Sequence, residues 1–405
     1  MRFDTLAVHA GGPKFTIGGA HPTAPPLVPA SSYWYDSADA LDRVLGDEQP
    51  GYSYARYASP TVVAFEEAVA ALEAAPAAVA FASGMAAIHA AIRLCAPDPR
   101  AVVFASQDCY GGTFTLLNGT LAQEGLKVRF VDVFDLDGLD RLMAQERPAA
   151  LLLEIVSNPL EHVADLDAIL QLAASHSVAV LVDSTFTSPY LIRPLARGAT
   201  CVIHSATKYL GGHGDVTGGV VACASEDQAA KLRNWRKYTG SVLGVMEAYL
   251  SIRGIRTLSL RMARQCENAA AVAHALSHHP RIERVYYPGL PDSADHAVAC
   301  RLFPDGLFGA VLAFAIQDAD KSAVMRFLES LKLIRAAPTL GDCFSLVLYP
   351  VIASHRGLTP EQRRERGIHD NVVRFSAGIE DAIDLITDLD QALSQESIVS
   401  GGVVG

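Results

Sequence analysis

Three short segments carry residue types that do chemistry where strands hand over to loops. An apolar run at Val178–Val182 ends on Asp183, an acid that must find a partner or a charged ligand, because burying a carboxylate unpaired is costly. A second run, Thr200–His204, is followed by Ser205-Ala206-Thr207-Lys208 and then by Tyr209-Leu210-Gly211-Gly212-His213-Gly214. Two hydroxyls and a lysine in a glycine-rich loop suit a phosphate. A lysine held at an apolar strand end also loses its proton readily and acts as a nucleophile; the plain alternative is a surface lysine on a loop. A third run, Ala78–Ala82, leads into Ser83-Gly84-Met85-Ala86 at the start of a helix, where free backbone N–H groups and the helix dipole attract an anion. That feature taken alone is also an ordinary cap and turn.

These segments need a scaffold that brings distant strand ends together. From about Thr61 the chain alternates helical stretches with short apolar strands. A helix at Val63–Ala74 precedes Ala78–Ala82; strands at Ala101–Ala105, Val128–Val133 and Ala149–Ile155 follow, then a helix at Leu166–Ser175 and the two runs above. Strands apolar throughout and separated by helices predict a mainly parallel sheet covered on both faces, with ligands outside the carboxyl ends of its strands. A long helical region at Val245–Ser277 leads to strands at Gly309–Ile316, Phe344–Tyr349 and Val372–Ser376, a helix reaching Leu331 and a final helix to Ser394, which reads as a smaller α+β domain. The first fifty residues, with Pro22, Pro25, Pro26 and Pro29, read as an extended arm, and the tail at 400–405 as frayed.

Composition narrows the field further. The 405 residues are 50% apolar and 19% charged, enough for more than one core without disulfide or metal staples. A formal charge of −11 argues against a general nucleic-acid or anionic-membrane surface. The uncharged stretch Ala74–Ile92 holds Pro76, Gly84 and His89 and reads as strand, turn and helix rather than a membrane span. Seven scattered cysteines without a C-x-x-C pair predict a reduced, cytoplasmic protein with no metal site.

One cofactor accounts for the combination. Pyridoxal phosphate requires a lysine for a Schiff base, an acid facing the pyridine nitrogen and a cradle for its phosphate. It also gains from an aromatic face against its ring. Tyr110, followed by Gly111-Gly112-Thr113, is the stacking candidate.

Asp183-Ser184-Thr185 and His204 to His213 closely resemble the signature of the Cys/Met-metabolism family of pyridoxal phosphate enzymes, the family of the cystathionine and methionine γ-lyases and cystathionine γ-synthase. The resemblance extends to Tyr54-Ala55-Arg56, Ser83 to Ala87, Glu154, Ser157-Asn158-Pro159, Arg253-Gly254, Arg261-Met262 and Val373 to Asp381. It implies an aspartate-aminotransferase-like fold (fold type I) with a mostly parallel central sheet, a smaller α+β C-terminal domain and an extended N-terminal arm. The corresponding division is 1–60 for an arm reaching a neighbouring subunit, 61–250 for the cofactor domain and 251–405 for the substrate-carboxylate domain. It further implies Lys208 as the Schiff-base lysine, Asp183 as partner of the pyridine nitrogen and Tyr110 as the stacking and acid–base residue. Gly84, Met85, Ser205 and Thr207 would hold the phosphate, joined by Tyr54 and Arg56 of a neighbour, and Asn158 would lie near the phenolic oxygen. Arg374 would take the substrate carboxylate, with Ser345 and Leu346 lining the same end. The implied assembly is a homotetramer, a dimer of dimers with shared sites.

The implied reaction is γ-elimination on a methionine- or homoserine-derived amino acid, giving 2-oxobutyrate and ammonia. A γ-replacement synthase is the alternative and an aminotransferase a further rival. Two departures bear on substrate choice. Phe344 stands where γ-lyases and cystathionine γ-synthase often carry Glu, which would make that side of the pocket less suited to a distal ammonium. Gly112 stands where methionine γ-lyases carry Cys.

Overall fold

The computed structural model describes residues 1–12, 16, 18–304 and 306–395, and the expectation for the tail at 400–405 lies outside them. Seven strands form the larger sheet: β1 (Ala77–Phe81), β2 (Val102–Ser106), β3 (Lys127–Val131), β4 (Ala150–Glu154), β5 (Ala179–Asp183), β6 (Cys201–Ser205) and β7 (Gly219–Cys223). Their order across the sheet is β1-β7-β6-β5-β4-β2-β3. Every pairing from β6 through β3 is parallel, whereas β7 runs antiparallel to both β1 and β6.

The apolar runs explain the layering. Strand β1 is buried along its whole length, with Ala78 and Ala80 in one apolar layer and Val79 and Phe81 in the other. The same alternation sends Val180 and Val182 of β5 to one face and Leu181 to the other. Helices therefore have to cover both faces. One is Gly84–Cys95, whose alanines let it lie close to the sheet; another is Pro60–Glu73, started by Pro60 in its first turn and stopped by Ala74 in the left-handed region at φ 54°.

The second sheet contains β8 (Ile282–Tyr286), β9 (Val311–Ile316), β10 (Arg335–Ala336), β11 (Leu346–Leu348) and β12 (Val372–Ser376), in the order β10-β11-β12-β9-β8. Among its pairings only β10–β11 is parallel.

Several features depart from the sequence reading. Strand β7 and the helix after it, Glu226–Thr239, lie beyond the glycine-rich loop in a stretch for which the sequence pattern predicts no element. The link from β6 to β7 holds no helix, so β7 returns antiparallel; a parallel return needs a crossover. A helix at Leu136–Glu146 joins β3 to β4, β8 precedes β9, and the strand expected at Phe344–Tyr349 is shortened to β11. The arm is not wholly extended: it carries helices at Phe3–His9 and Ala38–Leu45, the latter capped by Ser37. The stretch Ala74–Ile92 resolves into β1, a turn and the start of helix Gly84–Cys95, and no helix among the described residues is long and apolar enough to cross a membrane.

A buried ion pair ties helix Glu226–Thr239 to β1. Arg236 is 2% exposed; its Nη1 donates to Glu66 Oε1 at 2.5 Å and to the Ala80 carbonyl at 2.9 Å, while the Ala80 N–H donates to the same Glu66 oxygen at 2.8 Å. Glu66→Ala strips both donors of a partner at once. The expected loss of stability is about 3–5 kcal/mol, the usual result of leaving a buried charge unpaired, read from the midpoint of denaturant unfolding.

Candidate functional site

The carboxyl ends of β4, β5 and β6 open into a cavity of about 430 Å³ closed on the far side by the second sheet. Its walls bring together Gly84, Met85, Tyr110, Asn158, Asp183, Ser205, Thr207, Lys208 and Arg374, residues at or after five strand ends of the larger sheet and from the second domain.

Lys208 lies three residues past the end of β6, and its Nζ donates to Thr339 Oγ1 at 2.8 Å. Burial, and secondarily the Arg374 charge, lowers its pKa to about 8. An ammonium here costs free energy to keep, so the neutral amine is within reach near neutral pH. The sign for stability follows from the same shift. Below about 8 the amine is protonated in folded and unfolded chains alike, and the folded state bears the full desolvation cost. Between about 8 and the ordinary 10.5 the unfolded chain binds more protons, so the cofactor-free protein gains stability as pH rises. Melting temperatures of the cofactor-free protein and of Lys208→Met should therefore differ most below pH 8, with the variant higher, and converge toward pH 10.5.

Asp183 ends β5 directly across from Glu154 at the end of β4, so two carboxyl groups share one cavity floor. Burial pushes Asp183 up from the usual range, opposed by hydrogen bonds from Thr185, whose N–H donates to Oδ1 at 3.0 Å. Glu154 is pushed well above its range by burial and then by Asp183, and its Oε1 accepts the Tyr110 N–H at 2.5 Å. Two adjacent buried carboxyls cannot both ionise cheaply. Glu154 is the one held neutral, which leaves Asp183 as the anion awaiting a positive partner.

At the other end, Ser83 caps helix Gly84–Cys95, its Oγ accepting the Ala86 N–H at 3.2 Å. The first two N–H groups of the helix face outward by helix geometry. Gly84 is required by space: a Cβ on it would lie 3.0 Å from the Ser205 Cβ and 3.1 Å from its Oγ. Gly219 is required more strictly, since its Cβ would lie 2.2 Å from the Ser83 carbonyl where β7 enters between the two segments. Ser205 and Thr207 are held in turn, the Ser205 N–H donating to Thr185 Oγ1 at 2.9 Å and the Gly218 N–H to Thr207 Oγ1 at 3.1 Å.

Arg374 lies in β12 opposite Leu348 of β11. It is 3% exposed; Nη1 donates to Asn158 Oδ1 at 3.0 Å and Nη2 to the Thr339 carbonyl at 2.8 Å, while Nε has no partner among the described residues. Burial lowers its pKa to about 10, so the guanidinium stays charged.

Some expected residues lie elsewhere. Ser345 and Leu346 do not line the cavity: the Ser345 hydroxyl accepts the Gly378 N–H at 2.9 Å and donates to Glu380 Oε2 at 3.0 Å, and Leu346 faces Ser376 further along β11. Thr339, Leu340 and Leu348 occupy that end instead. Phe344 is 53% exposed and outside the cavity, so the argument that an aromatic there excludes a distal ammonium does not hold within the chain. Tyr54 and Arg56 also lie outside their own chain's cavity; Arg56 sits over the Tyr54 and Tyr57 rings and donates to the Lys237 carbonyl at 2.6 Å. A Cβ at Gly112 would lie 2.5 Å from the Tyr110 ring, so the ring as placed requires glycine two residues on. Sequence reasoning also missed Thr185 and Phe186 as wall residues; the signal for Thr185 was its place two residues past a strand-ending acid.

This donor set fits pyridoxal phosphate. It offers an amine of lowered pKa, an anionic carboxylate deep in the floor and an exposed tyrosine. A neutral cradle for an anion is formed where Gly84 leaves room beside Ser205. Among the described residues no group of histidine, cysteine or acidic side chains is arranged to hold a metal.

Known proteins resemble this chain over nearly its whole length. A family profile described as "Cys/Met metabolism PLP-dependent enzyme" matches residues 4–394. The L-methionine γ-lyase of Fusobacterium nucleatum subsp. polymorphum is 38% identical over 96% of this chain and 98% of its own length. The cystathionine γ-lyase of Bacillus subtilis (strain 168) is 37% identical over 97% and 99%. Among solved structures, cystathionine γ-synthase from Xanthomonas oryzae pv. oryzae in complex with cystathionine superposes with a TM-score of 0.90 at 34% identity, covering 97% of this chain and 98% of that one.

Proposed function

The chain belongs to the Cys/Met-metabolism family of pyridoxal-phosphate-dependent enzymes, and from that premise we propose that it is a γ-elimination lyase for a methionine- or homoserine-derived amino acid, releasing 2-oxobutyrate and ammonia. The observation that carries the substrate reading is that, among the described residues, Arg374 is the only guanidinium lining the cavity. One guanidinium takes one carboxylate in two-point fashion. The rest of that end is Pro338, Leu340, Leu348 and Ala353 with the neutral Thr339 and Ser354, which suits an uncharged γ-substituent better than a second zwitterion.

When bound, pyridoxal phosphate supplies an aldehyde for covalent attachment and a ring that draws electrons from the substrate Cα. In our reading Lys208 would carry that attachment, and its Nζ, when free, would take the Cα proton. Asp183 holds the proton on the ring nitrogen. Tyr110 stacks on the ring and assists proton transfer at the leaving group, while Asn158 sits beside the phenolic oxygen and steadies Arg374. Gly84, Met85, Ser205 and Thr207 hold the phosphate. Among the described residues that cradle contains no cation, so a phosphate dianion gains from a charge brought by another chain. We assign Tyr54 and Arg56 of a second copy to this task.

The domain division 1–60, 61–250 and 251–405 follows the same reading. It is supported by the larger sheet at 77–223 and the smaller at 282–376. A homotetramer is supported by Trp34, Tyr238 and Leu260, exposed at 84%, 73% and 73% in the single chain. The seven unpaired cysteines support a cytoplasmic location.

A shared site makes a mixing test possible. Neither Arg56→Ala nor Lys208→Ala protein is expected to turn over appreciably alone. Refolded together, they should recover activity toward the one site in four expected for random pairing in a dimer, because some sites then draw both intact residues from different chains. Absence of recovery would place Arg56 in its own chain's business.

A γ-replacement synthase is the second reading, favoured by the superposition with cystathionine γ-synthase. Incubation with methionine, cystathionine and O-acetylhomoserine separates the two by product. The lyase releases 2-oxobutyrate without added thiol; the synthase gives a thioether only when thiol is supplied. Accumulated pyridoxamine phosphate would instead mark an aminotransferase.

A further inference from the structure

At the opposite end of the larger sheet from the cofactor cavity, three thiols meet on one face. Cys201 opens β6 and Cys223 closes β7, and the two are direct partners in the antiparallel register. The ladder bonds fix which kind of partners they are. Ala206 N–H donates to the Gly218 carbonyl and Ala224 N–H to the Thr200 carbonyl, so the even-numbered residues of β6 form the hydrogen-bonded pairs. Cys201 and Cys223 are then a non-hydrogen-bonded pair, whose Cα atoms lie about 4.5 Å apart with side chains on one face, within the roughly 4.4–6.8 Å that a disulfide spans.

The third thiol, Cys95, is the last residue of helix Gly84–Cys95 and packs on the same apolar layer as the strand pair. The strand cysteines are fully buried, whereas Cys95 is only half-buried. A hydrogen bond from Cys201 lowers the Cys95 pKa against its burial, and contact with Cys223 and then with Cys95 raises that of Cys201. Cys95 is thus the reachable thiol, and its ionisation is favoured over that of Cys201.

We propose that Cys95, Cys201 and Cys223 form an oxidation site for hydroperoxides, in which Cys95 reacts first and the oxidation comes to rest as a Cys201–Cys223 disulfide across β6 and β7. The Cys95 thiolate attacks the peroxide; an S–O bond forms, the O–O bond breaks, and the departing oxygen takes up a proton. The Cys201 sulfur then attacks the Cys95 sulfur, and water leaves with the Cys201 proton. Cys223 next attacks Cys201 and returns Cys95 as a thiol. Two thiols are oxidised by two electrons, and the hydroperoxide is reduced to an alcohol, or to water when hydrogen peroxide is used, plus one water.

The test treats the holoenzyme with hydrogen peroxide under native conditions, blocks remaining thiols and maps peptides by mass. The expected product joins the Cys201 and Cys223 peptides with loss of two hydrogen atoms, while Cys95 stays available for blocking. Cys223→Ala should instead trap a Cys95–Cys201 link. Cys95→Ala should slow formation of the Cys201–Cys223 link about tenfold or more, since the buried thiols then lack a reachable thiolate. The proposal is overturned if Cys201 and Cys223 remain blockable after the exposed Cys300 has been oxidised. It is equally overturned if Cys95→Ala links them at the wild-type rate. The wild-type map decides the first point even if a variant folds poorly.

Discussion

Lys208→Ala loses turnover on every substrate by about a thousandfold or more, the combined effect of removing a covalent attachment point and a general base. The loss falls on the chemistry, because Lys208 makes one side-chain hydrogen bond, to Thr339, and its ammonium is costly to bury. The variant should therefore be at least as stable as the parent without cofactor below pH 8. Borohydride treatment followed by digestion should leave the cofactor fixed to the Lys208 peptide of the parent and to no peptide of the variant. Turnover that survives the substitution would remove Lys208 from the reaction.

Asp183→Asn is the second large effect, with kcat lower by about 10²–10³-fold, the usual result of deleting one aimed electrostatic group. The side chain keeps its size and can still accept from Thr185 N–H, so the cavity floor is preserved. What disappears is the one anion that the paired carboxyls leave available. Glu154 does not replace it, because Glu154 is already committed to the Tyr110 N–H and burial holds it neutral. Cofactor affinity should fall less than kcat, since the phosphate cradle is untouched. A variant equal to the parent in kcat would mean that the ring nitrogen needs no anion.

Both predictions concern residues that local sequence pattern made legible. Asp183, Ser205 and Lys208 stand at or just after apolar runs, and in a parallel sheet a strand end is a site position whatever the rest of the chain does. Arg374 was different: a lone arginine inside an apolar strand has no local meaning, and only its resemblance to a family segment drew attention to it. Ser345 was likewise named only by that resemblance, and its hydroxyl is turned to another partner. Its actual partner, Glu380, lies thirty-five positions further on and is brought there by β12. Thr339 and Leu340 line the cavity because the second sheet is set against the first, a packing outcome that neither segment encodes alone. Strand β7 was hidden for a related reason: its short run follows a glycine-rich loop, and only pairing on both sides makes it a strand.

That inserted strand has a consequence for how the protein is made. Residues 83–85 and 205–207 form opposite sides of the anion cradle, yet β1 and β6 never touch; β7 stands between them, passing Ser83 through the gap that Gly219 leaves. On a ribosome the chain emerges from its N-terminus. The first half of the cradle is then synthesised well over a hundred residues before the strand that joins it to the second. Until residue 223 has cleared the exit tunnel, β1 is an unpaired edge of alanine, valine and phenylalanine. Such an edge is open to mispairing with other chains. Nascent chains stalled short of β7 should therefore be the form that chaperones hold, and cofactor capture should begin only after it.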